Sequence, residues 1–525
     1  MALENIVNSF KKSLIVGALA FSAFVGGAIA QEAPQTPPPK KEPVIERCEG
    51  GGYGPFGDNE NPDKGVYPTL DELKRDINFL PKVTKRIRTY GVNDILFEIA
   101  GLCNKNKLEC YIGAWISKEH IENEKEIRRL LKIPDLKLEY VKGLVVGNEV
   151  LCRGDMSVKD YSTLVKKVND ATDIPVGIAE TWNMLLENKA IAENADFIMV
   201  HIHPYWEGIS VEDAANEVIK RYEQIKKEFP GKLVMIGETG WPSAGEPFDK
   251  AVPSELNQKK FFEDFTRLAK EKDIPYFYFE VFDELWKGIV RGDKDEEAKR
   301  KVGSHWGIFY SDGSLKPLFK DIFKKEVWEG IKRPKRKVSK VDLTAPFSVY
   351  ADGSSEDNHF QPSGYMGDWR DISVDRDHRA NPHSGESCTK IVYTPNKLYT
   401  PGGIQGWAGI YWQFPVNNWG EYPGYGIKGA SKLTFWARGE DGGEYAQFKV
   451  GGINAGRRNE ERPYEDSLGP VETLWMPLTK EWKQYEIDLS RESLENVSGG
   501  FCWVTNIDHS HMGCTIYLDD IKFEK

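Results

Sequence analysis

Two glutamates, each closing an apolar run, are the residues of this chain best suited to chemistry. Leu233-Val234-Met235-Ile236-Gly237-Glu238-Thr239-Gly240-Trp241-Pro242 reads as a strand that ends in one carboxylate, with Gly240 and Pro242 stopping it. Val141-Lys142-Gly143-Leu144-Val145-Val146-Gly147-Asn148-Glu149-Val150 repeats the pattern. Apolar on both faces, such runs suit strands buried in a parallel sheet. Two strand-end carboxylates facing one cleft are the minimum set for splitting a glycosidic bond. One protonates the leaving oxygen while the other attacks the sugar or activates water. The bland alternative is a helix-capping or loop carboxylate.

Periodicity supplies the elements that must position this pair. Gly51-Gly52-Tyr53-Gly54-Pro55 reads as a short strand end. Residues 69–82 read as a helix, with Leu70, Leu73, Ile77 and Leu80 on one face and Thr69 as N-cap. Strands are expected at 85–90, 109–116, 174–179, 196–203 and 274–282, besides the two that end in glutamate. Helices are expected at 92–104, 123–131, 157–169, 183–194, 211–229, 254–270 and 315–327. About eight strands, each followed by a helix, make a (β/α)8 TIM barrel rather than an open doubly wound sheet. On this count Glu149 ends strand four and Glu238 ends strand seven. The first strand lacks a Gly-rich turn to cradle phosphate, which argues against a nucleotide enzyme.

Gly147-Asn148-Glu149-Val150 with Gly237-Glu238-Thr239-Gly240-Trp241-Pro242 resembles glycoside hydrolase family 17, the β-1,3-glucanase family. Phe279-Glu280-Val281-Phe282-Asp283-Glu284-Leu285-Trp286-Lys287 is similar to its third signature. The resemblance covers roughly residues 50 to 327. It implies that Glu149 is the acid/base and Glu238 the nucleophile of a retaining enzyme. Asn148 could bond the sugar 2-hydroxyl, and Arg88 could hold Glu238 ionised or make a structural ion pair. The resemblance also puts Tyr53, Trp241, Glu284 and Lys287 near the substrate. One departure stands in His201-Ile202-His203-Pro204-Tyr205-Trp206, where familiar plant members carry Asn-x-Tyr-Pro. His203, Tyr205 and Trp206 are accordingly expected in the cleft, with fine specificity and the balance between water and sugar acceptors left open.

The flanks carry other signals. Lys11-Lys12, an apolar run at 13–27 and the small-x-small site Ala28-Ile29-Ala30 read as an export signal, the alternative being an uncleaved anchor. Export implies an oxidising setting, so some of the seven cysteines could pair. Cys103 and Cys110 flank a short loop, and Cys502 and Cys514 flank an expected hairpin. Residues 31–44 include Thr36-Pro37-Pro38-Pro39-Lys40-Lys41, a stiff solvated tether. A net charge of −11 argues against nucleic acid or an anionic membrane as partner and is compatible with a neutral glucan. Fifteen Trp and twenty-two Tyr are enough to stack on sugars, though core filling accounts for most. The basic run Ile331-Lys332-Arg333-Pro334-Lys335-Arg336-Lys337 reads as a solvated linker at the domain boundary.

From Ala345 the texture changes to short strands between Gly, Asn and Pro turns, at 347–350, 387–393, 409–414, 432–437, 446–450, 483–489, 501–504 and 515–523. That spacing reads as an all-β jelly-roll sandwich. Ile516-Tyr517-Leu518-Asp519-Asp520-Ile521-Lys522-Phe523 resembles the last strand of jelly-roll carbohydrate-binding modules. Trp407, Tyr411, Trp412 and Trp419 could form a glycan-stacking platform or fill the core. Asp352 with Asp519 or Asp520 could hold a structural calcium.

The reading is an exported, secreted or periplasmic monomer. Its parts are a signal peptide (1–30), a tether (31–47), a glycosidase barrel (48–332), a linker (333–344) and a carbohydrate-binding-like sandwich (345–525). The expected activity is endo cleavage of β-1,3-glucan with no cofactor or catalytic metal. The alternatives are glucosyl transfer to another glucan and, more distantly, a non-catalytic glycan-binding protein.

Overall fold

The computed structural model describes residues 47–288, 301–334, 340–395 and 405–525. The expected export signal, nearly all of the tether and the middle of the expected linker lie outside the described residues. The chain divides into two units: the described residues to 58 with 68–334, and 59–67 with 340–525.

In the first unit eight parallel strands close into a barrel in sequence order. They are β1 (Gly51–Gly52), β2 (Arg86–Arg88), β3 (Glu109–Ala114), β4 (Val141–Val146), β5 (Val176–Thr181), β6 (Phe197–His201), β7 (Leu233–Thr239) and β8 (Tyr276–Tyr278). Pairing of Gly51 with Tyr278 shuts the ring. The inside is packed, not hollow: Tyr111, Val145, Ala179, Phe197, Met199, Met235 and Phe277 fill it. Gly177 is required there, because a Cβ would sit 2.1 Å from the Phe197 ring.

Among the described residues seven helices cover the strands: α1 (Leu70–Phe79), α2 (Glu98–Lys105), α3 (His120–Leu130), α4 (Val158–Asn169), α5 (Trp182–Glu187), α6 (Val211–Glu228) and α7 (Glu255–Glu271). The Thr69 cap is a full capping box, its hydroxyl accepting from Glu72 N while the Glu72 carboxylate accepts from Thr69 N. Such a cap is worth about 1 kcal/mol. Two expected helices differ. Residues 183–194 break at Asn188, whose side chain donates to Met184 O, and resume as a 3-10 turn. Residues 315–327 form two 3-10 turns, Pro317–Asp321 and Lys325–Val327, rather than one helix. Phe319 and Ile322 are buried three residues apart, the spacing that a 3-10 turn aligns.

The second unit is all β. One sheet runs β12-β13-β22-β16-β20, with β10 on β22, and another runs β11-β14-β21-β17-β18, with β19 on β17. In the first sheet the strands are β10 (Phe347–Tyr350), β12 (Ile372–His378), β13 (Cys388–Tyr393), β16 (Lys432–Gly439), β20 (Lys483–Asp488) and β22 (Cys514–Glu524). In the second they are β11 (Gln361–Gly367), β14 (Trp407–Gln413), β17 (Tyr445–Val450), β18 (Val471–Glu472), β19 (Met476–Pro477) and β21 (Gly499–Asn506). β9 (Val341–Thr344) and β15 (Tyr425–Lys428) make a separate parallel pair. An apolar core, including Phe435, Phe448, Phe501 and Trp503, draws on both sheets.

Two expectations are corrected here. All seven cysteines are free and buried, so no expected pair is joined. Cys502 donates to Trp503 O and Cys514 to Thr505 Oγ1, while Cys103 and Cys110 stay thiols side by side, Cys103 pushed up by burial. Trp412 is the second correction: it is fully buried in the sandwich core and has no face for a sugar. Strand alternation explains it. Ala408, Ile410 and Trp412 of β14 point inward, while Trp407 and Tyr411 point out.

Candidate active site

The loops at the C-terminal ends of the barrel strands carry the two glutamates. Glu238 lies within β7 and is buried. Glu149 stands three residues beyond β4, in a tight turn with φ +54°, just after Gly147 at φ +79°. The turn is tied to the next strand, because Glu149 N donates to Ala179 O at 2.9 Å. One carboxylate oxygen of Glu149 and one of Glu238 lie within 4.8 Å of each other.

His201, at the end of β6, joins the pair. Its Nδ1 is 2.8 Å from Glu149 Oε1 and its Nε2 is 2.7 Å from Arg88 Nη1. A guanidinium only donates, so Nε2 accepts and Nδ1–H donates to Glu149. Arg88 also donates to Gly237 O at 3.2 Å and to Asn148 Oδ1 at 2.7 Å, and stands 3.5 Å from Glu238 Oε1. Arg153 donates to Asn148 O and to Ile116 O and lies over the Trp115 ring. Asn148 is thus held by two arginines.

Burial alone would raise the Glu238 pKa, but His201, the hydrogen bond from His203 and the Arg88 guanidinium hold it well below the carboxylate range. With His201 Nε2 accepting from Arg88, the imidazole brings no full charge; the His203 bond and Arg88 still act in the same direction. Glu238 is therefore an ionised carboxylate. His203 Nε2 lies 3.2 Å from Glu238 Oε2.

A second cluster borders the first. Lys287 Nζ bridges Glu280 Oε2 and Glu284 Oε2, each at 2.7 Å, and lies 4.6 Å over the Phe279 ring. Burial pushes Glu280 well up in spite of Lys287, while the two carboxylates push Lys287 up against its own burial. Tyr90, His203 and Trp306 meet the Phe279 ring edge-on. Three buried polar atoms on the residues around this ring have no hydrogen-bond partner, Tyr90 OH, His203 Nδ1 and Trp306 Nε1, and Glu238 Oε1, paired by charge with Arg88, has none either.

The sequence-expected residues divide. Glu149, Glu238, Arg88, Asn148 and His203 come together, with Glu284 and Lys287 in the bordering cluster, and Trp206 is half-buried on the loop after β6. Tyr53, Tyr205 and Trp241 do not reach the cleft, contrary to expectation. All three are fully buried. Tyr53 donates to Asp76, Tyr205 to Glu246 O and Trp241 to Val252 O, which uses up their polar ends.

His201 and Glu180 were missed. His201 had a signal, since it lies two residues before His203 on the same strand face. Glu180 on β5 had none. It is fully buried, accepts from Leu151 N and Thr181 N at 2.9 Å each, and is pushed up to about 8 by burial and the charge of Glu149.

Glu149, His201 and Glu238 are close enough to share a metal ion, but Arg88 already presents a cation to His201 and Glu238. Of the calcium donors expected in the second unit, Asp519 and Asp520 stand with His383 as a group whose ligand atoms lie within 4.8 Å of one another, and Asp352 is not part of that group. Asp352 Oδ1 accepts from Glu386 N and Ser387 N, and Asp519 Oδ2 from His383 N and Ser384 N. Asp520 accepts from Ser384 Oγ and from Lys522 Nζ at 2.6 Å.

On the outer face of the second sheet, Trp407, Trp419, Trp475 and Met366 pack partly buried around Tyr411. Trp475 was not singled out in the sequence.

A family model described as the BtgE/BtgC glycoside hydrolase domain matches residues 50–307. Glucan 1,3-beta-glucosidase of Saccharomyces cerevisiae is 26% identical over 278 residues, 48% of this chain and 86% of that one. Its namesake from Schizosaccharomyces pombe is 25% identical over 331 residues, 58% of this chain and 97% of that one. Among solved structures, the glycoside hydrolase family 17 beta-1,3-glucanosyltransferase from Rhizomucor miehei is 30% identical. The likeness covers 51% of this chain and 96% of that one, with a TM-score of 0.45.

Proposed function

Residues 50–307 belong to glycoside hydrolase family 17, and we propose that this hydrolase domain cleaves internal β-1,3-glucosidic bonds of β-glucan with retention. The observation that carries the reading is the approach of Glu149 and Glu238 to within 4.8 Å. Retaining pairs stand about 5–5.5 Å apart, whereas inverting pairs leave roughly 6.5–9.5 Å for a water.

In the first step Glu238 attacks the anomeric carbon. The glycosidic C–O bond breaks, its electron pair goes to the leaving oxygen, and that oxygen takes the proton of Glu149. In the second step Glu149 removes a proton from water, whose oxygen attacks the same carbon. The ester bond to Glu238 breaks, the carboxylate is restored, and the product keeps the β configuration. Asn148, oriented by Arg88, would bond the 2-hydroxyl. Tyr90, His203 and Trp306 carry polar atoms that other sugar hydroxyls would satisfy, and buried polar groups rarely stay unpaired.

A sugar hydroxyl can replace water in the second step without changing either glutamate, which makes glucosyl transfer the second reading. Product analysis on laminari-oligosaccharides at high concentration tests both. Shorter products throughout support hydrolysis, and products longer than the substrate mean transfer. No β-linked product from laminarin or curdlan would overturn both.

The second unit is proposed to bind the same polymer through Trp407, Trp419 and Trp475, which raises the local concentration of chain at the barrel. Export as a monomer completes the proposal, supported by the basic, apolar and small-residue pattern of residues 1–30. Among the described residues no helix is long and apolar enough to cross a membrane.

A further inference from the structure

Resting on the acid/base reading of Glu149, we propose that Glu180 is a positioning residue that holds Glu149 in its working orientation from behind the strand.

The geometry runs through the backbone. Glu149 has a left-handed φ of +54°, which side-chain-bearing residues adopt only where neighbours hold them. β5 is what holds it. Ala179 O accepts from Glu149 N, and Glu180 Oε2 accepts from Leu151 N, both at 2.9 Å. The Cys152 amide acts on the same carboxylate. Adjacent residues of β5 thus grip the turn at 149, 151 and 152. The other Glu180 oxygen accepts from Thr181 N, which fixes the carboxylate plane.

Strand alternation keeps Glu180 out of the cleft. Ala179 packs inside the barrel, so Glu180 faces the opposite way and is fully buried. It cannot touch substrate. Through Oε2 and the Cys152 amide it acts on the residues that follow Glu149. A carboxyl group is suited to this task because each of its oxygens can accept, and when it is protonated its single O–H can turn away from the amides. Glutamine offers one acceptor and turns an NH2 toward an N–H, and aspartate falls one methylene short.

A positioning role for the acid/base predicts a selective defect. Acid help is needed for a poor leaving group and dispensable for a good one. Glu180→Gln and Glu180→Asp should be compared with Glu149→Gln on laminaritriose and on a 2,4-dinitrophenyl β-glucoside, in the full-length protein. For both Glu180 variants kcat on laminaritriose should fall about 10- to 100-fold with KM within about twofold, a fraction of what general acid catalysis supplies. The pre-steady-state burst of dinitrophenolate should keep its wild-type rate, while the steady state slows.

Equal loss in burst and steady state, wild-type kcat on laminaritriose, or failure of both variants to fold would each assign Glu180 a structural role and overturn the proposal. Glu149→Gln separates the two readings. If its own burst collapses, Glu149 is not the acid/base and the functional assignment fails, whatever Glu180 does.

Discussion

Arg88 donates to His201 Nε2 across 2.7 Å, and that one contact decides which imidazole nitrogen carries the proton. With Nε2 accepting, Nδ1–H points at Glu149 Oε1, 2.8 Å away. When Glu149 carries its catalytic proton, that proton must then sit on the other oxygen, because Oε1 already accepts. A strand-two arginine thereby selects the oxygen of a strand-four acid through a strand-six histidine.

The tautomer can be read directly. Ring 15N shifts of His201 should show a protonated Nδ1 and a bare Nε2. Arg88→Met removes the donor and should let the Nε2–H form appear, with a fall in kcat/KM of at least about tenfold from the lost Asn148 and Glu238 contacts. A bare Nδ1 in the wild type would sink the proposed proton placement.

The two glutamates should separate by their adducts. Glu149→Ala should form a glucosyl-enzyme from an activated aryl glucoside and then stall for lack of a base. Glu238→Ala should form none from any substrate. Intact-protein mass spectrometry reads the mass increase. An adduct on Glu238→Ala, or α-configured product by NMR, would reverse the roles or the stereochemistry.

The barrel was legible because each of its parts has a local signature. Apolar runs marked buried strands, and Thr69 with Glu72 marked a helix start. Glu149 and Glu238 were legible because a lone carboxylate at the end of an apolar strand has few other uses. Tyr53, Tyr205 and Trp241 were misplaced for the same reason. A strand end says that a side chain is near the cleft, but not whether it faces the sugar or the layer beneath. Trp412 failed on parity, since one residue along β14 exchanges core for surface. Glu180 was unreadable because its distant partner, Leu151, offers a backbone amide 29 residues back along the chain, and amides leave no mark in a sequence.

Glu180 also predicts a pH-dependent stability. Its pKa is raised from 4.5 to about 8 by burial and the charge of Glu149. The folded state therefore binds more protons than the unfolded chain between those values. The stabilisation is full below about pH 4.5 and is lost as pH rises through about 8, at up to roughly 1.4 kcal/mol per pH unit. Glutamine cannot ionise. The Tm of Glu180→Gln minus that of the wild type should become steadily more positive from pH 5 to pH 8. A difference that is flat across this range would mean that Glu180 is ionised in the fold.

The sandwich offers a test in which two neighbouring tryptophans must behave oppositely. Trp412 is fully buried with the core, while Trp407 and Trp419 pack partly exposed around Tyr411, beside Trp475. Trp412→Ala leaves a cavity and should cost about 3–5 kcal/mol of stability in the second unit. Any loss of glucan binding should then track unfolding. Trp407→Ala and Trp419→Ala remove half-exposed rings, so stability should fall by no more than about 1–2 kcal/mol. If the outer face stacks sugars, each should weaken retention on insoluble curdlan at least about fivefold, since ring stacking acts through the face that is removed. Turnover of short soluble oligosaccharides should stay at the wild-type level, because tethering works on polymer through effective concentration and leaves the barrel chemistry alone. Pull-down on curdlan, thermal unfolding and soluble-substrate kinetics measured on the same three variants decide the matter. Unchanged curdlan retention in Trp407→Ala and Trp419→Ala would remove the outer face as a glucan site, and equal losses on polymer and oligosaccharide would move its role to the catalytic step.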